Sequence, residues 1–164
     1  MIEIVKFPDK LLKKQSVRIE SIDSSVLSVI DKLTFVLDFY NHCVGIAAVQ
    51  IGHLVRIVAV DVSKTKNKNH GRLIMINPVI LEKSSDEIVT KEGCLSVPDY
   101  LGYVARPKKI TLEYIDLNGK KQILEAKRFE AVVIQHEIDH LDGVLFLDKI
   151  ASSTQLIKRL QNDI

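Results

Sequence analysis

Between residues 26 and 40 the apolar side chains fall at Val26, Ile30, Leu33, Val36, Leu37 and Tyr40, the spacing that gives a helix one apolar face. Ser24 or Ser25 stands where the start of such a helix takes a hydroxyl cap. The rhythm then changes. Residues 55–62 and 73–81 are β-rich apolar runs that predict buried strands, the second interrupted at Asn77-Pro78, and residues 87–90 predict another. Residues 109–115 and 121–125 alternate in strand fashion around Asn118-Gly119, the strongest short hairpin signal in the chain. Residues 128–134 contain neither Gly nor Pro and lead into Gln135-His136-Glu137-Ile138-Asp139-His140, a helix that Asp142-Gly143 should stop. Residues 1–20 read as an extended or one-turn surface segment, residues 63–71 as a polar loop, and residues 151–163 as a short C-terminal helix.

Composition narrows the classes. With 164 residues, 46% of them hydrophobic, the chain suits one domain spanning 1–164 with a sizeable core. A net charge of +2 from 23 basic and 21 acidic side chains makes no field that would select DNA or a membrane as partner. The lysines of 64–68 lack interleaved aromatics and read as a solvated loop. No secretory leader opens the sequence and no apolar run reaches the roughly 18 residues of a membrane span, so a cytoplasmic protein is expected. In that compartment two cysteines argue against a disulfide, and Cys43 reads as a small packing residue.

The chemistry concentrates near the C-terminal end. On a helix His136 and His140 stand one turn apart on the same face, where two imidazoles can take adjacent positions on one metal ion. Glu137 can then reach a water on that metal and hold its proton. Val132 and Val133, at i−4 and i−3, keep the face below His136 apolar. A third ligand is still required. The extended metalloprotease pattern fails, because Gly143 fits it but position 146 is Phe, and no glutamate follows Glu137. Candidates upstream are His42, His53, His70, Cys43, Cys94 and the carboxylates, although the histidines sit in turns and connections where a surface role is expected. Cys94 stands out by its setting in Glu92-Gly93-Cys94-Leu95-Ser96-Val97-Pro98, and a thiolate is a strong ligand for Zn or Fe.

With these segments named, the chain resembles the peptide deformylase family. Three motifs carry the likeness in the family's order: Gly45-Ile46-Ala47-Ala48-Val49-Gln50, Glu92-Gly93-Cys94-Leu95-Ser96, and the run from Gln135 through His140 to Gly143. It extends through Phe7-Pro8-Asp9, Arg56-Ile57-Val58, Ile76-Asn77-Pro78 and Gly143-Val144-Leu145-Phe146, about residues 4 to 150. The resemblance implies an α+β fold of largely antiparallel strands around a central helix carrying the metal motif. It implies one divalent metal per chain on Cys94, His136 and His140, natively Fe2+. A thiolate with two imidazoles equally admits Zn2+, Ni2+ or Co2+, and intrinsic affinity favours Ni or Zn at equal availability.

The implied reaction is hydrolysis of the N-formyl group from formylmethionyl nascent peptides, releasing formate. In it Glu137 moves the proton, and Gln50 and the Leu95 backbone N–H steady the charge developing on the formyl oxygen. Val44 and Gly45 would pair with the substrate backbone, with Glu92 also on the substrate side, and Val132 and Val133 would wall the methionine pocket. Two departures stand out: Cys43 replaces the usual glycine, and Leu101 stands where many members carry an arginine used against the substrate. Many members also dock on the ribosome through a longer, basic C-terminal helix, and this tail is short and weakly basic. A metalloprotease of broader range would need a cleft open on both sides. A binding protein without turnover should have lost Glu137 or Gln50, and both are present.

Overall fold

A computed structural model describes residues 2–66 and 69–160. Helix α1 spans Ser24–Phe39. The strands are β1 Gly45–Ala47, β2 Ile57–Asp61, β3 Arg72–Lys83, β4 Glu87–Cys94, β5 Val97–Pro107, β6 Lys109–Ile115 and β7 Lys121–Lys127. Helix α2 follows at Arg128–Leu141, and a last short strand, β8, at Leu156–Lys158. Every strand pairing is antiparallel: one sheet has the order β1-β2-β3-β6-β7 and the other β4-β5-β8. This is the expected α+β architecture in a single domain.

Strand β2 is buried on both faces, which explains why residues 55–62 read as a nearly unbroken apolar run. Along β2, Ile57 and Ala59 join α1 residues Val26, Ile30, Leu33 and Leu37 in one core cluster. Val58 and Val60 face the other way and join Ala131, Val133, Ile134, Ile138 and Leu141 of α2. The period-2 alternation of a strand thus divides one apolar run between two helices, each buried Val, Leu or Ile contributing about 1.5–3 kcal/mol.

Local chemistry fixes the ends. Helix α1 is capped by Asp23, not by Ser24 or Ser25: its carboxylate accepts from the Ser25 and Val26 N–H groups, both at 3.0 Å. A charged oxygen one residue earlier reaches the orphan donors with its negative end on the positive helix terminus. Strand β3 runs through Asn77-Pro78 with a register shift, and the Asn77 amide, at positive φ, exchanges hydrogen bonds with Ile19. In the β6–β7 hairpin Asp116 Oδ1 accepts from Asn118 and Lys120, so the loop is longer than a two-residue turn. Gly143 ends α2 at φ 72°, and a Cβ there would lie 2.7 Å from the carbonyl carbon of Lys13, so only glycine fits.

The C-terminal segment departs from the expected helix. Ser153–Gln155 is one 3-10 turn, and residues 156–158 pair with Tyr100, Leu101 and Gly102 of β5. The alternating Leu156 and Ile157 find an open strand edge, and pairing with it satisfies backbone groups that a short isolated helix would leave to water. The rest of the expected helix, residues 161–163, and part of the 64–68 lysine run lie outside the described residues. Among the described residues no helix is long and apolar enough to cross a membrane.

Candidate metal centre and active site

Three elements meet at one point. Strand β4 brings Cys94 at its end, helix α2 brings His136, Glu137 and His140, and the turn after β1 brings Gln50. The ligand atoms of Cys94, His136 and His140 lie within 4.8 Å of one another, and all three residues are buried. Cys94 Sγ is 3.3 Å from His140 Nε2. The imidazoles stand one turn apart with ring centroids 5.1 Å from each other, and His136 stacks on Phe146 at 6.1 Å. A thiolate and two imidazoles converging in a dry place suit a divalent transition metal.

The electrostatics agree with a cation there. Burial, His136 and Arg106 drive His140 well below the ordinary histidine range, leaving it a neutral ring with a free lone pair. Burial would also lower His136, but Cys94, Glu92 and the Glu137 charge outweigh it and favour positive charge at that ring. A metal cation can take the place of that proton. Burial pushes the Glu137 carboxyl up to about 7, and its Oε2 is buried without a hydrogen-bond partner.

Gln50 is the hinge between motifs. Its Oε1 accepts from Ala47 N–H at 2.8 Å, while its Nε2 donates to Cys94 Sγ at 3.3 Å and to Ser96 Oγ at 3.1 Å. The backbone of β1 lies over Glu137: a Cβ built on Gly45 would fall 2.8 Å from Glu137 Cγ. Both β1 and β4 are terminal strands of their sheets. Two strand edges therefore flank the site, the arrangement that takes up an extended peptide by backbone pairing.

Other expected residues sit as follows. Val44 precedes β1, its carbonyl accepting from Asp61 N–H at 2.8 Å, and Leu95 occupies the turn between β4 and β5. Val132 and Val133 are both buried, and Val133 belongs to the core beneath the sheet. Glu92, expected on the substrate side, is buried and engaged by partners inside the fold. Its two oxygens accept from Arg106 Nε at 2.8 and 2.9 Å, and Oε1 lies 3.2 Å from His136 Nδ1. Alternation along β4 turns Glu92 inward with Cys94, where an unpaired carboxylate would be costly. Cys43 is buried, donates to Gly45 O at 3.1 Å, and burial with the nearby Glu137 charge pushes its thiol up to about 12.

Sequence reasoning missed two side chains. Arg106 carried no expected role, and nothing in one sequence pairs it with Glu92. Arg159 lay in the tail, yet its guanidinium covers the outer side of Gly93: a Cβ there would meet Leu101 Cδ2 at 2.7 Å and Arg159 Nη2 at 3.2 Å. Of the other histidines, His70 binds the buried Glu130 at 2.8 Å near the start of α2. His53 lies 3.4 Å from Lys32 Nζ.

Comparison with known proteins bears directly on this constellation. A family model described as polypeptide deformylase matches residues 1–156. A peptide deformylase of Finegoldia magna is 40% identical over 156 residues, 94% of this chain and 93% of the relative, and one of Rhizobium meliloti is 40% identical over 90% and 84%. The crystal structure of peptide deformylase from Ehrlichia chaffeensis superposes with a TM-score of 0.85 at 35% identity, covering 94% of this chain and 90% of that one. That of Thermotoga maritima gives 0.84 at 34%, covering 93% and 99%. A match over this much of both chains, at this identity and with this fold, places the chain in the polypeptide deformylase family, metal-dependent hydrolases that remove the N-formyl group from nascent peptides.

Proposed function

We propose that Cys94, His136 and His140 hold the metal, natively Fe2+, and that Glu137, Gln50 and the Leu95 N–H carry the removal of formate from N-terminal formylmethionine. The observation that carries this reading is the close stacking of Gly45 on Glu137 beside the three converging ligands. A peptide paired along the edge at Val44 and Gly45 has its N-terminal group delivered to Glu137.

Bound there, a divalent cation would polarise the formyl carbonyl and lower the pKa of a water. The work left to the chain is proton movement and charge stabilisation. Glu137 accepts the proton of the attacking water at a carboxylate oxygen and gives it to the departing amine nitrogen as the C–N bond breaks. Formate and a free N-terminal methionine result. With a cation held by Cys94, His136 and His140, the Glu137 carboxyl would lie below the value burial alone gives it, which suits a base. Gln50 Nε2 keeps its hydrogen bond to Ser96 Oγ and turns the N–H now on Cys94 Sγ to the formyl oxygen, which the Leu95 N–H also meets.

Val132 and Val133 form the floor of the methionine pocket, with Val133 anchored in the core. Arg159, beside Gly93 and Leu101, supplies a cation where Leu101 has none, and meets the peptide beyond its first residue. The chain works in the cytoplasm on nascent peptides. The backbone of residues 156–158 pairs with β5, and the exposed side chain of Lys158 on that strand is the basic group the tail offers to the ribosome.

The test is formate release from a formyl-Met peptide by anaerobically purified protein, with elemental analysis of the same sample. Release with about one metal per chain and loss of activity in air are expected, since an iron–thiolate site oxidises. Failure of a fully metallated sample to release formate would overturn the reading and leave a protein that only binds N-termini.

A further inference from the structure

We propose that Arg106 is a positioning residue for the metal site: it locks the strand carrying Cys94 to the helix carrying His136 and His140. The inference rests on these three residues being the ligands. Arg106 is 2% exposed, lies near the end of β5 and pairs in register with Ile88 of β4. The register runs Ile88↔Arg106, Thr90↔Val104, Glu92↔Gly102, so Arg106 and Glu92 occupy the same face four residues apart along the sheet. The long guanidinium arm reaches back along that face to Glu92.

It makes two contacts of different kinds. Through Nε it grips both Glu92 oxygens, at 2.8 and 2.9 Å, and Glu92 in turn holds His136 Nδ1 at 3.2 Å. With Nδ1 so engaged, Nε2 is the nitrogen of His136 left for a metal. Through Nη1 it binds Asp139 Oδ2 at 2.8 Å, on α2 between the two histidines, and Lys149 lies 3.4 Å from the same oxygen. Glu92 is two residues from Cys94 and Asp139 is next to His140. One side chain thus spans both ligand-bearing elements, and a planar guanidinium fixes their distance and orientation in a way a point charge does not.

A buried cation between two carboxylates is poor value for stability alone, since an apolar replacement of the whole set commonly does as well. Its use here is geometric. Partners that orient a ligating histidine typically change metal affinity by about 10- to 100-fold when removed.

The test uses Co2+ as the probe. Arg106→Lys keeps the charge but not the two-sided grip, and avoids leaving both carboxylates unpaired. Arg56→Lys is the control, because Arg56 also braces α2, at Leu141 O and Asp142, without touching Glu92 or His136. Chelator competition should show Arg106→Lys binding Co2+ about 10- to 100-fold more weakly than the unaltered chain. Its thiolate-to-cobalt absorption band should shift, while Arg56→Lys lowers Tm and leaves affinity and band alone. Unchanged affinity and band in Arg106→Lys would overturn the proposal, as would equal changes in both variants. If the unaltered chain takes up no Co2+, the ligand reading fails and this inference falls with it, a result distinct from either of those.

Discussion

Gly45 lies so close over Glu137 that a Cβ on it would stand 2.9 Å from the carboxyl carbon. No ordinary side-chain contact is that short, so Gly45→Ala must push the carboxylate aside or lift β1. Displacement of a reacting group by about 1 Å can cost on the order of 100-fold in rate. We expect kcat for a formyl-Met peptide to fall by about that factor in Gly45→Ala. Metal content should be unchanged, because Gly45 touches none of the ligands. Parallel elemental analysis and turnover assays check both halves.

Glu137 and Cys94 should separate chemistry from metal retention. Glu137→Gln keeps the shape of the side chain and removes its ability to take a proton, so turnover should vanish with about one metal per chain retained. Cys94→Ala removes the thiolate, and the metal itself should then be lost to a chelator that the unaltered protein withstands. Full activity in both variants would exclude the mechanism.

Gln50 has a double role. Its amide meets Cys94 Sγ and Ser96 Oγ on one side and the Ala47 N–H on the other. Loss of one preorganised donor to a developing oxyanion costs roughly 2.7–4 kcal/mol, so Gln50→Ala should lower kcat about 100- to 1,000-fold. A modest fall in Tm should accompany it from the freed Ala47 N–H. A fall in Tm with kcat intact would make Gln50 purely structural.

Helices α1 and α2 and the doubly buried strand β2 were legible because their signals are local or periodic. His136 and His140 needed only the 3.6-residue turn, and residues 55–62 needed only the buried-strand pattern. Cys94 came into view as a candidate ligand by weighing motifs, since the histidines it meets are 42 and 46 positions away, distances a single sequence does not encode. The Asp23 cap was missed by one residue because Ser and Asp are both good caps and stand side by side. The partner of Glu92 and the fate of the tail were invisible for a different reason. Each depends on which open edge or buried charge happens to be near in space, and residues 156–158 turned to the β5 edge where helical propensity alone was too weak to decide.

Arg159 offers a check on that tail. Its guanidinium covers Gly93 next to Leu101, one residue before Cys94. If it meets the substrate chain, Arg159→Ala should raise KM several-fold for formylated peptides of three or more residues. A hydrogen bond from a charged donor is worth about 1.5–3 kcal/mol when buried and less at a half-open site. Formyl-Met alone, too short to reach it, should be hydrolysed as before. An equal effect on short and long substrates would mean that Arg159 merely seats β8.

Asp61 contributes to the acid stability of the fold. It is buried at the end of β2, accepts from Ser63 N–H at 3.1 Å and from Arg72 Nε at 3.0 Å, and Arg72 continues to Asp38 on α1. Burial on its own would raise the carboxyl, but the Ser63 and Arg72 hydrogen bonds outweigh it and hold Asp61 below the ordinary aspartate range. A carboxyl lowered in the folded state adds stability above its unfolded pKa, near 3.9, and that stability is lost as pH falls through the lower folded value. Asp61→Asn removes the charge at every pH. Near neutrality, loss of charged hydrogen bonds worth about 1.5–3 kcal/mol should lower Tm by roughly 3–12 °C. The gap between variant and unaltered protein should narrow below about pH 4 and close as the aspartate itself becomes protonated. Tm curves from pH 7 to pH 2.5 decide it, and a gap that stays constant across that range would show that the ionised form of Asp61 contributes nothing.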